Sequence, residues 1–174
     1  CRTRPETGAG VPQLQAIRAV FVATGGQIPI IADGGMENDK DIFLSIAFGG
    51  ASSVMIGGMF AGTDESPGPI LLNPATKLKY KVYRGMTSPE AVMDAHSTED
   101  LEDRLGTPAE GQLKEIPYVG SVVGILKRIR GHVQSSVSYA GESNLADAYK
   151  KMSQEPEKFL IPLSEAARIE SFHR

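Results

Sequence analysis

Apolar residues in the first third of the chain alternate between helical spacing and short continuous runs, and glycines separate the segments. Pro12 predicts the start of a helix with one apolar face, and Gly25 and Gly26 predict its end. Residues 28–32 then predict a short strand that is apolar throughout, which is typical of a parallel sheet covered on both faces. The first unit is therefore a helix followed by a buried strand.

The next segment repeats this pattern. Asn38 or Asp39 is suited to cap a second helix, and Gly49 and Gly50 predict where it stops. Residues 53–56 predict a second buried strand. Two strand–loop–helix units in tandem indicate an α/β fold with parallel strands.

The stretch from residue 62 to 118 breaks this rhythm with polar runs and several prolines. Residues 77–83 predict a β-ribbon within it, and Ser121 predicts the cap of a later helix. An excursion of this length from a compact domain is usually functional, so we expect a flap. The expected single segment has four parts: the first loop with two strands (1–61), the flap (62–118), the closing helices (119–152) and the tail (153–174).

Composition and charge exclude several classes of protein. Hydrophobic residues make up 41% and charged residues 22%, which is ordinary for a globular chain. The formal net charge is −3 with no basic stripe, which argues against nucleic-acid binding, and no apolar run is long enough for a membrane span. The chain begins without Met or an apolar segment, so we expect a cut or processed N-terminus and no signal peptide. The single Cys excludes an internal disulfide and predicts a cytoplasmic location.

Glycine pairs follow both predicted strands directly. Gly34 and Gly35 come after the first strand and Gly57 and Gly58 after the second. Glycine lets backbone N–H groups approach an anion closely, so this spacing fits a phosphate site. The carboxylate of Asp33 would repel a phosphate and fits a ribose diol better. The alternative is that the glycines only form tight turns with positive φ.

The first residues form a second candidate site. Cys1 lies beside Arg2 and Arg4, whose charges would stabilise a thiolate, and Thr3 could relay a proton near the sulfur. The alternative is a small buried thiol, the commoner state of a lone cysteine.

The flap contributes weaker candidates. Glu110 with Gly111 could orient Thr3 or bind a polar substrate edge when the flap closes, although a surface glutamate is the ordinary alternative. Gly85 could act as a hinge beside Met86, which is otherwise a packing residue. The three histidines lack the spacing of metal ligands.

Four motifs then occur in a fixed order: C-x-T-R-x-x-T-G-x-G-x-P-Q, I-A-D-G-G, V-M-I-G-G-M-F-A-G-T-D-E-S-P-G and Y-R-G-M. Together they resemble the IMP dehydrogenase/GMP reductase family from Cys1 to about Leu145. The resemblance implies an α/β fold, the C-terminal portion of a (β/α)8 TIM barrel with a long flap insertion. It also implies a homotetramer that binds a purine monophosphate and exchanges hydride with a nicotinamide.

The resemblance further implies roles for individual residues. Cys1 would attack purine C2 and form a thioimidate, and the backbone carbonyls of Cys1 and Arg4 would bind a monovalent cation such as K⁺. The residues implied in substrate binding are Asp33 for the ribose, Gly34, Gly35, Gly57 and Gly58 for the phosphate, and Arg84, Gly85, Met86 and Gly111 around the base.

Several features resemble GMP reductases in particular. The segment G-G-M-F-A-G is reductase-like, and Glu110 would act with Thr3 on departing ammonia. The stretch Asp103-Arg104-Leu105 lacks the tyrosine with which dehydrogenases activate water. The residues that would contact NADPH are Gly85, Ser135, Ser136, Val137 and Ser138. The leading expectation is NADPH-dependent reductive deamination of GMP to IMP, a step of purine nucleotide interconversion.

Other features keep alternatives open. Y-R-G-M is closer to the dehydrogenase motif, and the flap is longer than in common reductases. IMP dehydrogenase, which converts IMP to XMP with NAD, is the first alternative, and a non-catalytic purine-nucleotide-binding fragment is the second. Two strands cannot close an eight-stranded barrel. We therefore expect a missing N-terminal barrel segment or a partner chain.

Overall fold

The computed structural model describes residues 8–85 and 113–167. In chain order its elements are α1 (Gln13–Ala23), β1 (Ile31–Asp33), α2 (Asp39–Phe43) continued by a π-helical turn (Leu44–Phe48), β2 (Ser53–Met55), β3 (Leu71–Leu72), β4 (Lys79–Arg84), β5 (Leu113–Pro117), α3 (Val122–Tyr139), α4 (Leu145–Gln154) and a 3₁₀ turn (Pro156–Phe159). Strands β1 and β2 form one sheet, and β3, β4 and β5 form another in that order.

Helix α1 and the helical segment after β1 both end just before the glycines that predict their ends. Gly25 and Gly26 adopt φ values of 59° and 69°, directly after α1. Gly50 adopts φ 91°, and a Cβ there would lie 2.3 Å from the ring of Phe21. Glycine is required at Gly50 because the end of this helix packs directly on α1.

The start of α2 agrees with one of the two predicted caps. Asn38 precedes the helix, which begins at Asp39. The carboxylate of Asp41 accepts hydrogen bonds from the N–H groups of Glu37 and Asn38, both at 3.0 Å. A side chain in the first turn thus satisfies backbone donors that lie just before the helix.

Strands β1 and β2 pair in parallel, as predicted, in the register Ile31↔Ser53, Ala32↔Val54 and Asp33↔Met55. The prediction that both strands are buried on both faces is wrong for the described residues. Ala32 is fully buried, but Ile31 is 61% and Met55 52% exposed. Successive residues of a strand point to opposite faces, and the packed residues of α1 lie against only one of them.

Two apolar clusters form the core. The first contains Phe43, Ala47, Val137, Ala148 and Met152 and joins the helices α2, α3 and α4. The second contains Ile17, Ala32, Met36 and Ala51 and packs α1 on the parallel strands. The helices α2, α3 and α4 therefore pack on one another through the first cluster, and α1 packs on the strands through the second.

The change of rhythm after residue 62 corresponds to a change of topology. Strands β3, β4 and β5 pair antiparallel, with Tyr80 of β4 opposite both Leu71 and Pro117. The predicted ribbon is confirmed in type, but its strand is Lys79–Arg84. The central part of the predicted flap, residues 86–112, lies outside the described residues, so its action as a lid stays a prediction.

The closing helices α3 and α4 begin at polar caps. Ser121 Oγ accepts a hydrogen bond from the Val123 N–H (3.3 Å), as predicted, and Asn144 Oδ1 accepts one from the Asp147 N–H (2.9 Å). Within residues 8–85 and 113–167, none of the helices is both long and apolar enough to cross a membrane.

An ion-pair cluster also joins α3 to α2. The Asp39 carboxylate is 7% exposed and accepts two hydrogen bonds from Arg128, at 2.9 and 3.1 Å. Its Oδ2 atom also lies 2.6 Å from His132 Nδ1. The hydrogen bonds from Arg128 lower the pKa of Asp39, with a smaller contribution from His132. Arg128 of α3 is thus engaged with α2.

Candidate functional site

The two glycine pairs lie side by side at the carboxyl ends of β1 and β2. The Gly34 N–H donates to the carbonyl oxygen of Met55 (3.4 Å), which fixes one turn against the other strand. Gly34 and Gly35 both have positive φ, 77° and 75°. Gln13 Nε2 donates to the Asp33 carbonyl oxygen (2.9 Å), so the start of α1 supports the same turn. The expected adjacency of the two turns is therefore present.

Each turn has one glycine that faces open space. A Cβ built on Gly34 or on Gly58 meets no heavy atom within 4 Å. Among the described residues, the N–H groups of Gly35, Gly57 and Gly58 have no hydrogen-bond partner. Backbone donors held close together by a turn form an anion-binding concavity, so the geometry is compatible with a phosphate.

Tyr83 belongs to this site, although the sequence predicts no role for it. A Cβ built on Gly57 would lie 2.8 Å from the Tyr83 hydroxyl. Glycine at position 57 therefore lets a phenol approach the backbone of the second turn. The signal available in the sequence was the strand alternation of β4, which places Tyr83 on the same face as Lys79 and Lys81.

A cavity of about 780 Å³ lies between the loop after β2 and strand β4. Of the predicted site residues, Gly57 and Arg84 line it, together with Tyr83. The other lining residues are Phe60, Ala61, Thr63, Glu65, Ser66, Pro67, Gly68, Pro69, Val82 and Val122. Gly85 follows Arg84 directly at the end of β4. The structure thus brings together the second glycine turn and the predicted base-binding segment.

Two carboxylates fasten the loop after β2 to the segment that runs from the end of β5 to the start of α3. Glu65 accepts hydrogen bonds from the Val122 N–H and the Ser121 hydroxyl, both at 2.8 Å. The hydrogen bond from Val122, followed by the one from Ser121, holds the pKa of Glu65 below its ordinary value. Asp64 accepts a hydrogen bond from the Tyr118 hydroxyl (2.7 Å), which raises the pKa of Tyr118. A negative side chain is favourable at a helix N-terminus.

The predicted cofactor segment of α3 does not line this cavity. Val137 is 6% exposed and packs in the first apolar cluster, so its side chain is a packing residue. Ser135 Oγ donates to the Gly131 carbonyl oxygen (3.1 Å) within the helix. Ser136 and Ser138 lie on either side of Val137. Contact between this segment and a nicotinamide stays a prediction.

Comparison with known proteins shows the family. The model of the "IMP dehydrogenase / GMP reductase domain" matches residues 1–173. The chain belongs to the IMP dehydrogenase / GMP reductase family. It is 42% identical to an inosine-5'-monophosphate dehydrogenase of Nitrosopumilus maritimus, over 98% of the chain and 35% of that protein. Similar proteins of the same name in Rhizobium tropici and Helicobacter pylori (strain ATCC 700392 / 26695) are 41% and 38% identical, over 84% and 86% of the chain and 30% and 31% of their lengths.

Membership in this family implies an α/β fold of the TIM-barrel type. The residues described here form a mixed α/β fragment with two parallel strands and no closed barrel. The chain spans about a third of the length of the relatives named above. The barrel expectation is therefore supported as a fold type, and the closed barrel itself is not seen in residues 8–85 and 113–167.

Several predicted site residues lie outside the described residues: Cys1, Thr3, Arg4, Met86, Glu110 and Gly111. The nucleophile, the ammonia-releasing pair and the K⁺-binding carbonyls consequently stay predictions. In the part of the chain that the structure describes, no group of three His, Cys, Asp or Glu side chains is arranged to hold a metal ion.

Proposed function

We propose that this chain forms part of an enzyme that oxidises IMP to XMP with NAD. The observation that carries the proposal is the pair of glycine turns at the ends of adjacent parallel strands. They occur in a chain that matches proteins named inosine-5'-monophosphate dehydrogenase over nearly its whole length. These relatives support the dehydrogenase alternative better than the leading expectation of a GMP reductase.

In this proposal the two turns bind the nucleotide. The open amides of Gly35, Gly57 and Gly58 bind the phosphate. The Tyr83 hydroxyl lies close to the second turn and would donate a hydrogen bond to the same phosphate. Asp33 ends β1 next to the first turn and is exposed, which suits a carboxylate that accepts hydrogen bonds from a ribose diol. The phosphate is thus bound through amides fixed by the fold.

In the proposed reaction Cys1 is the nucleophile and NAD accepts the hydride. The Cys1 thiolate adds to purine C2 of IMP, and the hydride at C2 passes to the nicotinamide, which leaves a thioimidate. Water then attacks C2, the C–S bond breaks, and XMP and the thiolate are released. The sum is IMP, NAD⁺ and water giving XMP, NADH and a proton. A monovalent cation held by the carbonyls of Cys1 and Arg4 would fix the loop of the nucleophile.

A (β/α)8 barrel needs more parallel strands than the two that the described residues supply. Ile31 and Met55 expose apolar side chains on the face of the parallel pair opposite to the helices. We therefore propose that a further segment or a partner chain completes the barrel, within a homotetramer. Such a cover would remove from water the apolar face that the helices leave open.

Reduction of GMP with NADPH is the second candidate. Leu105 stands where dehydrogenases carry the tyrosine that activates water, and the Gly57-Gly58 pair is reductase-like. Thr3 and Glu110 would then protonate the departing ammonia. Without activated water, hydrolysis of a thioimidate would be slow, and hydride transfer to it would compete.

The assay that separates the candidates uses the complete native protein with two substrate pairs. With IMP and NAD, the proposal predicts one XMP and one NADH per turnover, and Cys1→Ala reduces this to background because no thioimidate forms. Consumption of NADPH with GMP, without XMP formation from IMP, would establish the reductase instead. Nucleotide binding with neither turnover would indicate a non-catalytic protein.

A further inference from the structure

Strand β4 carries a lysine where a core residue is expected. Lys81 is 2% exposed, and lysine is rarely buried unless it is paired. Its ammonium donates to the backbone carbonyl oxygen of Thr63 (2.9 Å) and to that of Ser66. Both acceptors belong to the loop of residues 57–66, which begins at the second glycine turn. The buried ammonium therefore ties β4 to that loop.

Successive hydrogen bonds within the loop connect Thr63 to the glycine turn. The Phe60 N–H donates to the Gly57 carbonyl oxygen (3.0 Å), and the Thr63 N–H donates to that of Phe60 (3.1 Å). The Thr63 hydroxyl donates to the same Phe60 oxygen (2.8 Å). Thr63 is itself 1% exposed. A shift of Thr63 would therefore move Phe60 and then Gly57, because each turn is bonded to the next.

Lys81 also shares a face of β4 with Tyr83. Residues two apart on a strand lie about 7 Å from each other on the same side. The ammonium contacts the far end of the loop, at Thr63 and Ser66, while the Tyr83 hydroxyl lies against Gly57 at its start. Lys81 and Tyr83 therefore contact the two ends of the same loop from one face of β4.

We propose that Lys81 is a positioning residue that holds the 57–66 loop in the shape that binds the nucleotide phosphate. The inference rests on the proposed function, because it assigns the loop a phosphate ligand. Lys81 touches no substrate atom in this account. It acts through the carbonyls of Thr63 and Ser66, and its removal takes the cation from both oxygens, of which that of Thr63 keeps a hydrogen bond from the Ser66 N–H (3.3 Å).

The test replaces the charge and keeps the length of the side chain. Lys81→Met retains an unbranched stem, and Lys79→Met is the matched control, since Lys79 is an exposed lysine on the same strand and face. For both variants of the complete native protein, the measurements are the dissociation constant for IMP by calorimetry, the KM for IMP and for NAD, and amide hydrogen exchange of residues 57–66.

For Lys81→Met we expect the dissociation constant and the KM for IMP to rise about tenfold or more. The KM for NAD should stay within about twofold, and exchange should accelerate in residues 57–66. Lys79→Met should match the wild type. Unchanged IMP binding, or an equal loss of affinity for IMP and NAD with a lowered unfolding midpoint, would overturn the positioning role.

Failure of the proposed function gives a different result. The wild type itself would then not oxidise IMP, whether or not it binds the nucleotide. In that case the exchange data still decide on Lys81: unchanged exchange in residues 57–66 overturns the inference, and faster exchange supports the hold of Lys81 on the loop independently of its ligand.

Discussion

The helix-covered parallel pair and the antiparallel sheet are stabilised by opposite kinds of contact. Around β1 and β2 the buried side chains are mainly apolar and lie in the two clusters that contain Phe43 and Ile17. In β3, β4 and β5, the buried side chain among the described residues is that of Lys81. The helix-covered region is packed mainly by hydrocarbon, with the Asp39–Arg128 ion pair as a polar exception, and the antiparallel sheet is joined to its neighbouring loop by a cation.

This difference has a functional meaning. Hydrophobic burial is non-directional and stabilises a scaffold, whereas a hydrogen bond depends on distance and angle and can set the position of a loop. The apolar region provides the two strands whose ends carry the glycines. The polar contacts of Lys81 and Glu65 fix the loop that leaves the second strand. Substitutions in the two regions should therefore change different measured quantities.

The largest expected effect is on the stability of the helix-covered region. Asp39→Asn removes the negative charge and one of the two acceptor oxygens that face Arg128 and His132 between α2 and α3, and we expect a loss of about 1–3 kcal/mol in the free energy of unfolding. Because the pKa of Asp39 is lowered in the folded protein, its contribution is present above about pH 3.9 and is lost as the pH falls through the lowered pKa.

Urea unfolding at pH 7 and at several acid values measures this effect. The difference between Asp39→Asn and the wild type should shrink below about pH 4. Glu37→Gln is the control, since Glu37 is an exposed neighbour and its substitution should change stability little. A difference that stays constant down to acid pH would contradict the assignment to the Asp39 carboxylate.

A smaller effect, on the affinity for IMP, is expected at Gly57, where the two regions meet. A Cβ there would lie 2.8 Å from the Tyr83 hydroxyl, so Gly57→Ala should displace Tyr83 and weaken IMP binding about tenfold. In a Tyr83→Phe background the same substitution should cost less, because the close contact is gone. Calorimetric titration with IMP measures the effect of Gly57→Ala in both backgrounds.

Gly124→Ala is the control for Gly57→Ala. Gly124 lies in α3, and a Cβ there meets no atom within 4 Å. IMP affinity should be unchanged in this variant. Equal effects of Gly57→Ala in the wild-type and Tyr83→Phe backgrounds would mean that Tyr83 is not coupled to the turn.

Local patterns predicted most of the scaffold. Helix ends at Gly25 and Gly50, the cap at Ser121 and the parallel strands all follow from spacing and from residue types with a known conformational preference. The glycine turns are predicted as a pair because each follows a predicted strand directly. Each of these inferences needs information from only a few neighbouring residues.

The contacts that sequence reasoning missed join residues far apart in the chain. Arg128 and Asp39 are 89 positions apart, and a lysine such as Lys81 is expected at the surface until its acceptors at Thr63 and Ser66 are known. The exposure of Met55 was missed for a similar reason. An apolar strand is buried only where another element covers it, and the local sequence does not specify that element.

The central claim is that the glycine turns recognise the phosphate of a purine nucleotide. The most direct test is calorimetric binding of IMP and of inosine to the complete native protein at the same salt concentration. The account predicts that inosine binds about a hundredfold more weakly or worse, because the amides of the turns lose their ligand. Inosine affinity within about threefold of that for IMP would contradict it.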